Sequence, residues 1–297
     1  MTSPEFRSSI PFSRYYESRI ASIALDIIKK YNIDAVYSHY LLPYGVSALL
    51  VKKLTNKPWL LQHAGSDITR LFSFSQLNSI FIECLSNADK IIGYANTMEK
   101  MIEHNLDVSK LVHAVRSISL NEFNPNAKPF DFSKYGIGEG TAVFTYFGKI
   151  SGLKKTYEFI NAAAEIKNED FRIVFVTEAG NNAEELKEHA KKLNVFDKLV
   201  FMPFIPPWQV PGIMKASSCI VCPESEETPY LPTTEKQNIL VVDPVNKEDF
   251  SDMLKFVMRN KEKAEEIGRN ARKFSEQNEK FEDYISSFEN VLNLLLQ

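Results

Sequence analysis

Two successive series of alternating strand-like and helix-like segments constrain the fold of this 297-residue chain more than any other feature. Short apolar runs, the candidate strands, lie at 35–39, 59–63, 90–94, 111–115, 142–147, 172–177, 199–202 and 219–222. Segments with apolar residues at helical spacing separate them. Runs such as KIIGY and WLLQH are continuous rather than alternating, which is typical of strands buried on both faces of a parallel sheet. The pattern predicts two α/β domains, with helices covering both faces of each sheet.

A Pro-, Gly- and Asn-rich stretch from Asn124 to Gly140 separates the two series and lacks sustained periodicity. Such a composition is typical of an interdomain linker. We therefore predict an N-terminal domain at 1–125 and a C-terminal domain at 126–297. Helical periodicity continues almost without interruption from Lys247 to Gln297, and we assign these closing helices to the C-terminal domain.

The composition narrows the class of protein. Lys and Arg number 35 against 38 Asp and Glu, and the net charge of −3 gives no electrostatic basis for binding nucleic acid. No run approaches the roughly 20 apolar residues that span a bilayer, and residues 1–13 lack the layout of a signal peptide. We expect a cytoplasmic protein with reduced, structural thiols at Cys84, Cys219 and Cys222. The basic, amphipathic segment 15–31 leaves peripheral contact with a membrane as an alternative to packing on a sheet.

Polar residues directly after the apolar runs are the first candidates for a functional site, because ligands of open parallel sheets bind outside the carboxyl ends of the strands. Four such places stand out: His39, the run HAGSD from His63 to Asp67, the pair Gly148-Lys149, and the acidic segment from Glu224 to Glu235. A solvated loop is the alternative at each place taken alone.

The segment GKISGLKK sets Lys149 directly after a strand and Lys154 and Lys155 directly before a helix. Ammonium groups that converge near a helix N-terminus suit a diphosphate. The segment matches neither a P-loop nor a dinucleotide fingerprint. Lysines that flank a helix are otherwise common as solvated charge.

Carboxylates cluster in PESEETPYLPTTE, where seven residues separate Glu227 from Glu235. Pro229 and Pro232 exclude a regular helix through the middle, so the segment is a shaped loop that can aim two carboxylates at different parts of one ligand. Carboxylates are suitable acceptors for the hydroxyls of a sugar or a ribose. Without further context, an acidic loop of this kind is usually solvated.

Four motifs in this order carry a family resemblance: HAGSD, NEFNP before the predicted linker, GK-x4-K and E-x7-E. The chain resembles the family 4 retaining glycosyltransferases, which have the GT-B fold of two Rossmann-like parallel-sheet domains facing a cleft. By that resemblance Lys149 and Lys154 bind the donor diphosphate. Glu227 contacts the donor sugar and Glu235 the ribose.

The resemblance also implies residues outside these two pairs. His63 matches the family histidine near the transferred sugar and the acceptor. Thr177 and Phe204, which follow two further strands of the second domain, fall in the nucleotide site by the same comparison. Together with the lysine and glutamate pairs, they complete the set of candidate catalytic and nucleotide-binding residues.

The implied reaction is transfer of a hexosyl or other glycosyl group from a nucleoside diphosphate sugar, with retention of configuration. UDP- or GDP-sugar is the expected donor, and a sugar, a lipid-linked group or another small molecule is the acceptor. No cofactor is implied. The sequence contains no D-x-D tripeptide that would present two carboxylates to a metal beside the diphosphate, so we expect activity without a metal ion.

The chain departs from the family pattern in two places. It opens on a helix-like segment instead of a strand and a glycine-rich turn, and only Lys236 and Gln237 separate Glu235 from the segment NILVVDP. We therefore expect family segments to be missing at the N-terminus and after Glu235. Two alternatives stay open: a non-catalytic protein that binds a nucleotide sugar or a protein partner, and an epimerase with the same fold.

Overall fold

Strands and helices alternate along the chain as the apolar pattern predicts. The structure, a computed structural model, describes residues 15–63, 67–68, 72, 77–93, 95–112, 114, 119–150, 155–177, 182–203, 205–222, 238–278 and 281–297. The chain divides into two units, one formed by Met1–Ser117 with Phe281–Gln297 and the other by Ile118–Lys280. Each unit contains its own parallel sheet, which confirms the predicted pair of α/β domains.

The sheet of the first unit contains β1 (Val36–His39), β2 (Trp59–Gln62), β3 (Lys90–Ile92) and β4 (Leu111–Val112). The strands lie in chain order and every neighbouring pair is parallel. The helices of this unit are α1 (Tyr16–Tyr31), α2 (Val46–Thr55), α3 (Asn78–Asn87) and α4 (Ala95–Glu103). The continuous apolar run of β2 is buried on both faces, since Trp59, Leu60 and Leu61 are all fully buried.

The C-terminal helix α10 (Phe281–Leu296) packs on this first sheet. Its buried residues Val291 and Leu295 form a cluster with Leu60 and Ile92 of the strands. The structure thus places Phe281–Gln297 with the first unit, whereas the sequence analysis placed it with the second. Helical periodicity identifies an apolar stripe but not the surface that covers it, and here that surface comes from strands more than 180 residues earlier.

The sheet of the second unit contains β5 (Ala142–Phe147), β6 (Phe171–Val176), β7 (Leu199–Met202) and β8 (Cys219–Ile220). Its strand order is β7-β6-β5-β8, and all pairs are parallel. The helices are α5 (Thr156–Glu165), α6 (Ala183–Lys192), α7 (Val210–Ala216), α8 (Lys247–Arg259) and α9 (Lys261–Asn278). Helix α8 begins after Asn246, whose side chain accepts a hydrogen bond from the Asp249 amide at 3.1 Å, and it stacks Phe250 on Phe159 of α5.

The stretch from Asn124 to Gly140, predicted as a linker, belongs to the second unit. Residues Phe132–Tyr135 form a 3₁₀ turn, and Phe132 is buried with apolar residues of β5, β6 and α7. The Phe130 amide donates to the carbonyl of Gly212 at 3.0 Å. A Cβ atom on Gly212 would approach the carbonyl oxygen of Lys128 to 2.7 Å, so this close contact requires glycine. The Pro- and Gly-rich composition of this stretch gave no indication that its aromatic residues cover one face of the sheet.

The Cys84 side chain is buried in the first unit, and the Cys219 side chain is partly buried in the second. Burial raises the pKa of the Cys84 thiol to about 12 and that of the Cys219 thiol to about 11. Because a reactive cysteine needs a thiolate near neutral pH, these values agree with the predicted structural role of both thiols.

Candidate functional site

The strand order of the second unit contains a switch point beside β5. From β5 the chain adds β6 and β7 on one side, and then returns to add β8 on the other side. The carboxyl ends of two such strands diverge into loops that leave a crevice, where open α/β sheets bind their ligands. Gly148 and Lys149 follow β5 at this point, and the acidic segment follows β8. The segment 223–237, which contains Glu227 and Glu235, lies outside the described residues.

Tyr146 anchors the turn that follows β5 by a hydrogen bond. This side chain is buried in the sheet, and its hydroxyl donates to the backbone carbonyl of Lys149 at 2.7 Å. Gly148 has φ 140°, in the region that favours glycine, and its amide donates to the carbonyl of Val176 at 3.2 Å. Ile150 is buried again, so the exposed Lys149 projects from a turn that is anchored on both sides.

A second lysine lies where this turn runs into α5. Lys155, which precedes the first residue of α5, has φ 50° and ψ 32°, a left-handed conformation. Its ammonium lies 3.8 Å from Oε1 of Glu158, while Oε2 of Glu158 is buried with no hydrogen-bond partner among the described residues. The loop between β5 and α5 thus joins an exposed lysine to a helix N-terminus, an arrangement that favours anions.

The remaining candidates of the second unit divide into two groups. Thr177 directly follows β6 and is half-buried at the same edge of the sheet as Lys149. Lys154 and Phe204 lie outside the described residues, as do both glutamates of E-x7-E. The structure therefore places Lys149, Lys155 and Thr177 after the carboxyl ends of β5 and β6, and the roles assigned to all the candidate residues stay predictions.

In the first unit, His63 follows β2 and its side chain is 0% exposed. Its Nε2 lies 2.7 Å from Oγ1 of Thr97, a fully buried residue of α4. Gly93 makes room for this pair, because a Cβ atom there would approach Thr97 Oγ1 to 2.7 Å. The imidazole is thus not presented to solvent, and its predicted contact with the transferred sugar stays a prediction. Sequence analysis missed Thr97 as the partner, since a threonine on a helix carries no local signal.

The last residue of HAGSD, Asp67, also points into the protein. It is buried, and its Oδ2 accepts from the backbone amide of Leu41 at 3.2 Å. Leu41 begins the turn Leu41–Gly45 that connects β1 to α2. The motif therefore ties the end of β2 to the loop after β1.

No group of three or more His, Cys, Asp or Glu side chains in the described part of the chain is arranged to hold a metal ion. Among the same residues, no helix is both long enough and apolar enough to cross a membrane.

Two family models match successive parts of the chain. The model described as glycosyl transferase 4-like matches residues 3–114, and the model described as glycosyl transferases group 1 matches residues 127–235. With the two parallel-sheet units, these matches support a protein of the GT-B glycosyltransferase class. More particularly, residues 3–114 are similar to the glycosyl transferase 4-like proteins and residues 127–235 to the glycosyl transferases of group 1.

Known proteins that are similar to this chain include N-acetyl-alpha-D-glucosaminyl L-malate synthase of Bacillus anthracis, 20% identical over 196 residues. That alignment covers 63% of this chain and 50% of the relative, so the chain spans about half of the relative's length. A glycosyltransferase structure from Rickettsia africae has 17% identity and a TM-score of 0.71, covering 100% of this chain and 84% of that one. HepE of Anabaena, solved with UDP and glucose, has 13% identity and a TM-score of 0.73, covering 94% and 80%. At these identities the solved structures share the fold with this chain.

Proposed function

We propose that this protein transfers a hexosyl or other glycosyl group from a nucleoside diphosphate sugar to an acceptor, with retention of configuration and without a metal ion. The observation that carries the proposal is the basic turn Gly148-Lys149 at the switch point of a sheet that lies in the segment matching the group 1 model. Parallel sheets bind ligands at this position, and the turn supplies a cation there.

Lys149 and Lys154 are the proposed ligands of the donor diphosphate. When the glycosidic bond to the diphosphate breaks, negative charge develops on the leaving oxygen, and ammonium groups placed beforehand stabilise it. The N-terminus of α5 adds partial positive charge on the same loop. Cationic side chains thus take the role that a metal ion has in other phosphate chemistry.

The carboxylates have a separate role in the proposal. Glu227 is assigned to the hydroxyls of the donor sugar and Glu235 to those of the ribose, with Thr177 and Phe204 beside the nucleoside. The transition state has oxocarbenium character, so a carboxylate that orients the sugar ring also stabilises its positive charge. His63 is proposed to lie near the transferred sugar, within a strand end that Thr97 holds in place.

UDP is the first donor nucleotide to test, because crystals of the similar HepE protein contain UDP with glucose, or UDP-glucose. GDP stays the second choice. The proposed acceptor is a sugar, a lipid-linked group or another small molecule. We propose a cytoplasmic protein, with peripheral membrane contact as a second possibility.

One observation favours a second function, a protein that binds nucleotide sugars without transferring the sugar. Only Lys236 and Gln237 separate Glu235 from the segment that continues toward α8. A ligand residue without the surrounding residues that orient it usually supports little catalysis.

Calorimetric titration with UDP, GDP and ADP in the absence of metal tests the proposal. Lys149→Ala should weaken binding of the preferred nucleotide about tenfold or more, because a charge-assisted hydrogen bond contributes roughly 1.5–3 kcal/mol. Lys167→Ala is the matched control, since Lys167 is exposed in the same unit before β6, at the opposite edge of the sheet.

Product analysis with UDP-sugars then separates the functions. A transferred sugar supports the transferase, an altered free donor supports an epimerase, and saturable binding without turnover supports the non-catalytic protein. Absence of binding for all three nucleotides contradicts the proposed donor site altogether.

A further inference from the structure

Tyr40, the first residue after β1, holds a backbone conformation that tyrosine rarely adopts. Its φ is 70° and its ψ is 145°, a combination that is strained for a bulky side chain. Hydrogen bonds of the Tyr40 amide and of the Tyr40 carbonyl impose this backbone conformation. The Tyr40 amide donates to the carbonyl of Gln62 at 2.9 Å, and the Tyr40 carbonyl accepts from the Gly45 amide at 3.0 Å. The next amide, that of Leu41, donates to the buried Asp67.

The strained backbone changes where the ring lies. Neighbouring side chains of an extended chain point to opposite faces. The rings of His39 and Tyr40 instead stack on each other, with centroids 4.4 Å apart and planes 8° apart. Tyr40 keeps 43% of its surface exposed, and Tyr44 in the following turn keeps 45%. The strain therefore produces an aromatic stack that faces solvent.

This stack lies at the carboxyl edge of the first sheet. His39 pairs with Gln62 at the carboxyl ends of β1 and β2, and the Tyr40 amide continues that pairing. Gln62 is followed directly by His63, the residue that the family resemblance sets near the transferred sugar and the acceptor. The stack and His63 thus end neighbouring parallel strands, where ligands of such sheets bind.

We propose that the Tyr40–His39 stack is a binding platform for a sugar ring, and that this sugar is the acceptor of the transfer reaction. The assignment of the sugar as acceptor rests on the proposed function. A sugar ring has a face of C–H groups and a rim of hydroxyls. The face of an aromatic ring carries negative charge density that attracts such C–H groups. The Tyr40 hydroxyl and the His39 nitrogens provide hydrogen-bonding groups for the rim.

The chemistry of the segment favours a sugar over a phosphate or a lipid chain. His39–Gly45, with the sequence HYLLPYG, contains no Lys or Arg to pair with an anionic group. Leu41 is fully buried, and the exposed large side chains of the segment are two tyrosines, each with a polar hydroxyl. A lipid chain needs a continuous apolar surface, whereas separate rings with polar edges suit a sugar.

The proposed platform explains why the strained backbone of Tyr40 is useful. The hydrogen bonds of Gln62, Gly45 and Leu41 fix the backbone of Tyr40, and the stack on His39 positions its ring, so the ring loses little freedom when a ligand arrives. Strained residues that are held by their surroundings cluster at ligand sites for this reason.

Saturation-transfer NMR tests the platform, with the methyl glycosides of glucose, galactose, mannose and N-acetylglucosamine as probes and saturating UDP present. We expect at least one glycoside to receive saturation through its ring protons in the wild type. Tyr40→Ala should reduce that signal at least fivefold, and Tyr40→Phe should keep most of it. Tyr40→Gly removes the ring while accepting the positive φ, so it separates loss of the ring from backbone strain.

Tyr31→Ala is the matched control, because Tyr31 is 61% exposed at the end of α1, before β1, and so away from the carboxyl edge. Equal signals from the wild type and both ring-deleting variants overturn the platform, as does a wild type that binds none of the glycosides.

UDP affinity, measured by calorimetry on the same proteins, reports on the second unit. UDP binding with an unaffected Tyr40→Ala signal rejects only the platform. Loss of glycoside binding in Tyr40→Ala, with no UDP binding in the wild type, rejects only the proposed transfer reaction.

Discussion

A Cβ atom added to Gly148 would lie 3.1 Å from the hydroxyl oxygen of Tyr146. The tyrosine therefore fills the space that a side chain at 148 would need, and uses its hydroxyl to hold the carbonyl of Lys149. A buried ring and a glycine together shape the turn that presents the proposed diphosphate ligand.

Tyr146→Phe should lower UDP affinity by about three- to tenfold, because the Lys149 carbonyl loses its donor and the turn loses its anchor. Binding of uridine, which has no phosphate, should change less. Calorimetry with UDP and uridine measures both effects. Tyr157→Phe is the control, since its hydroxyl also bonds a neighbour, Glu185, but between α5 and α6. Equal losses for UDP and uridine would show that Tyr146 acts through general stability and not through the turn.

Thr97→Val should destabilise the first unit by about 1–3 kcal/mol, because the substitution keeps the shape but leaves a buried histidine without the hydroxyl at 2.7 Å. Urea unfolding measures this change. Thr55→Val should cost less, because the Thr55 hydroxyl is partly buried and bonds the nearby backbone of Val51 and Lys57. Comparable losses from both variants would contradict a specific role for Thr97 in holding His63.

Leu295→Ala should destabilise the first unit by about 2–5 kcal/mol, as expected for a leucine truncated in a core. Leu295 is 7% exposed and packs on the sheet, whereas Leu294 in the same helix is 50% exposed and is the control. Fluorescence of the buried Trp59 in β2 follows unfolding of this unit. If Leu294→Ala has the same effect, the packing of α10 on the first sheet is wrong.

The buried thiol of Cys84 makes the first unit less stable in alkali. Its pKa rises from 9.0 to about 12 on folding, so the folded state keeps the proton longer than the unfolded state. The thiol's contribution to the free energy of unfolding is complete below pH 9. It is lost as the pH rises toward 12, by about 1.4 kcal/mol for each pH unit in that window. Urea unfolding of wild type and Cys84→Ala between pH 8 and 10.5 measures how much of the pH dependence of stability comes from this thiol. Parallel pH dependences of the two proteins would contradict it.

Residues of the second unit show how much of the candidate site can be predicted from short segments of the sequence. Lys149 follows an apolar run, and that position at a strand end is readable in sequence because strand, turn and helix signals extend over only a few residues. The family resemblance added roles to residues such as Glu227, which periodicity alone cannot assign. The bond from Tyr146 to Lys149 was not predictable, because a buried tyrosine in a strand has the same pattern whether or not its hydroxyl reaches the next turn.

The sequence by itself determined the alternation of strands and helices, the presence of two α/β domains and the candidate residues at strand ends, since apolar periodicity is set by near neighbours. Only the tertiary structure decided the strand order that creates the switch point, the packing of Leu295 on Leu60 and the burial of Phe132. It also decided the stack of Tyr40 on His39. These features depend on contacts between distant segments, or on a backbone conformation that such contacts impose, and a local pattern does not specify either.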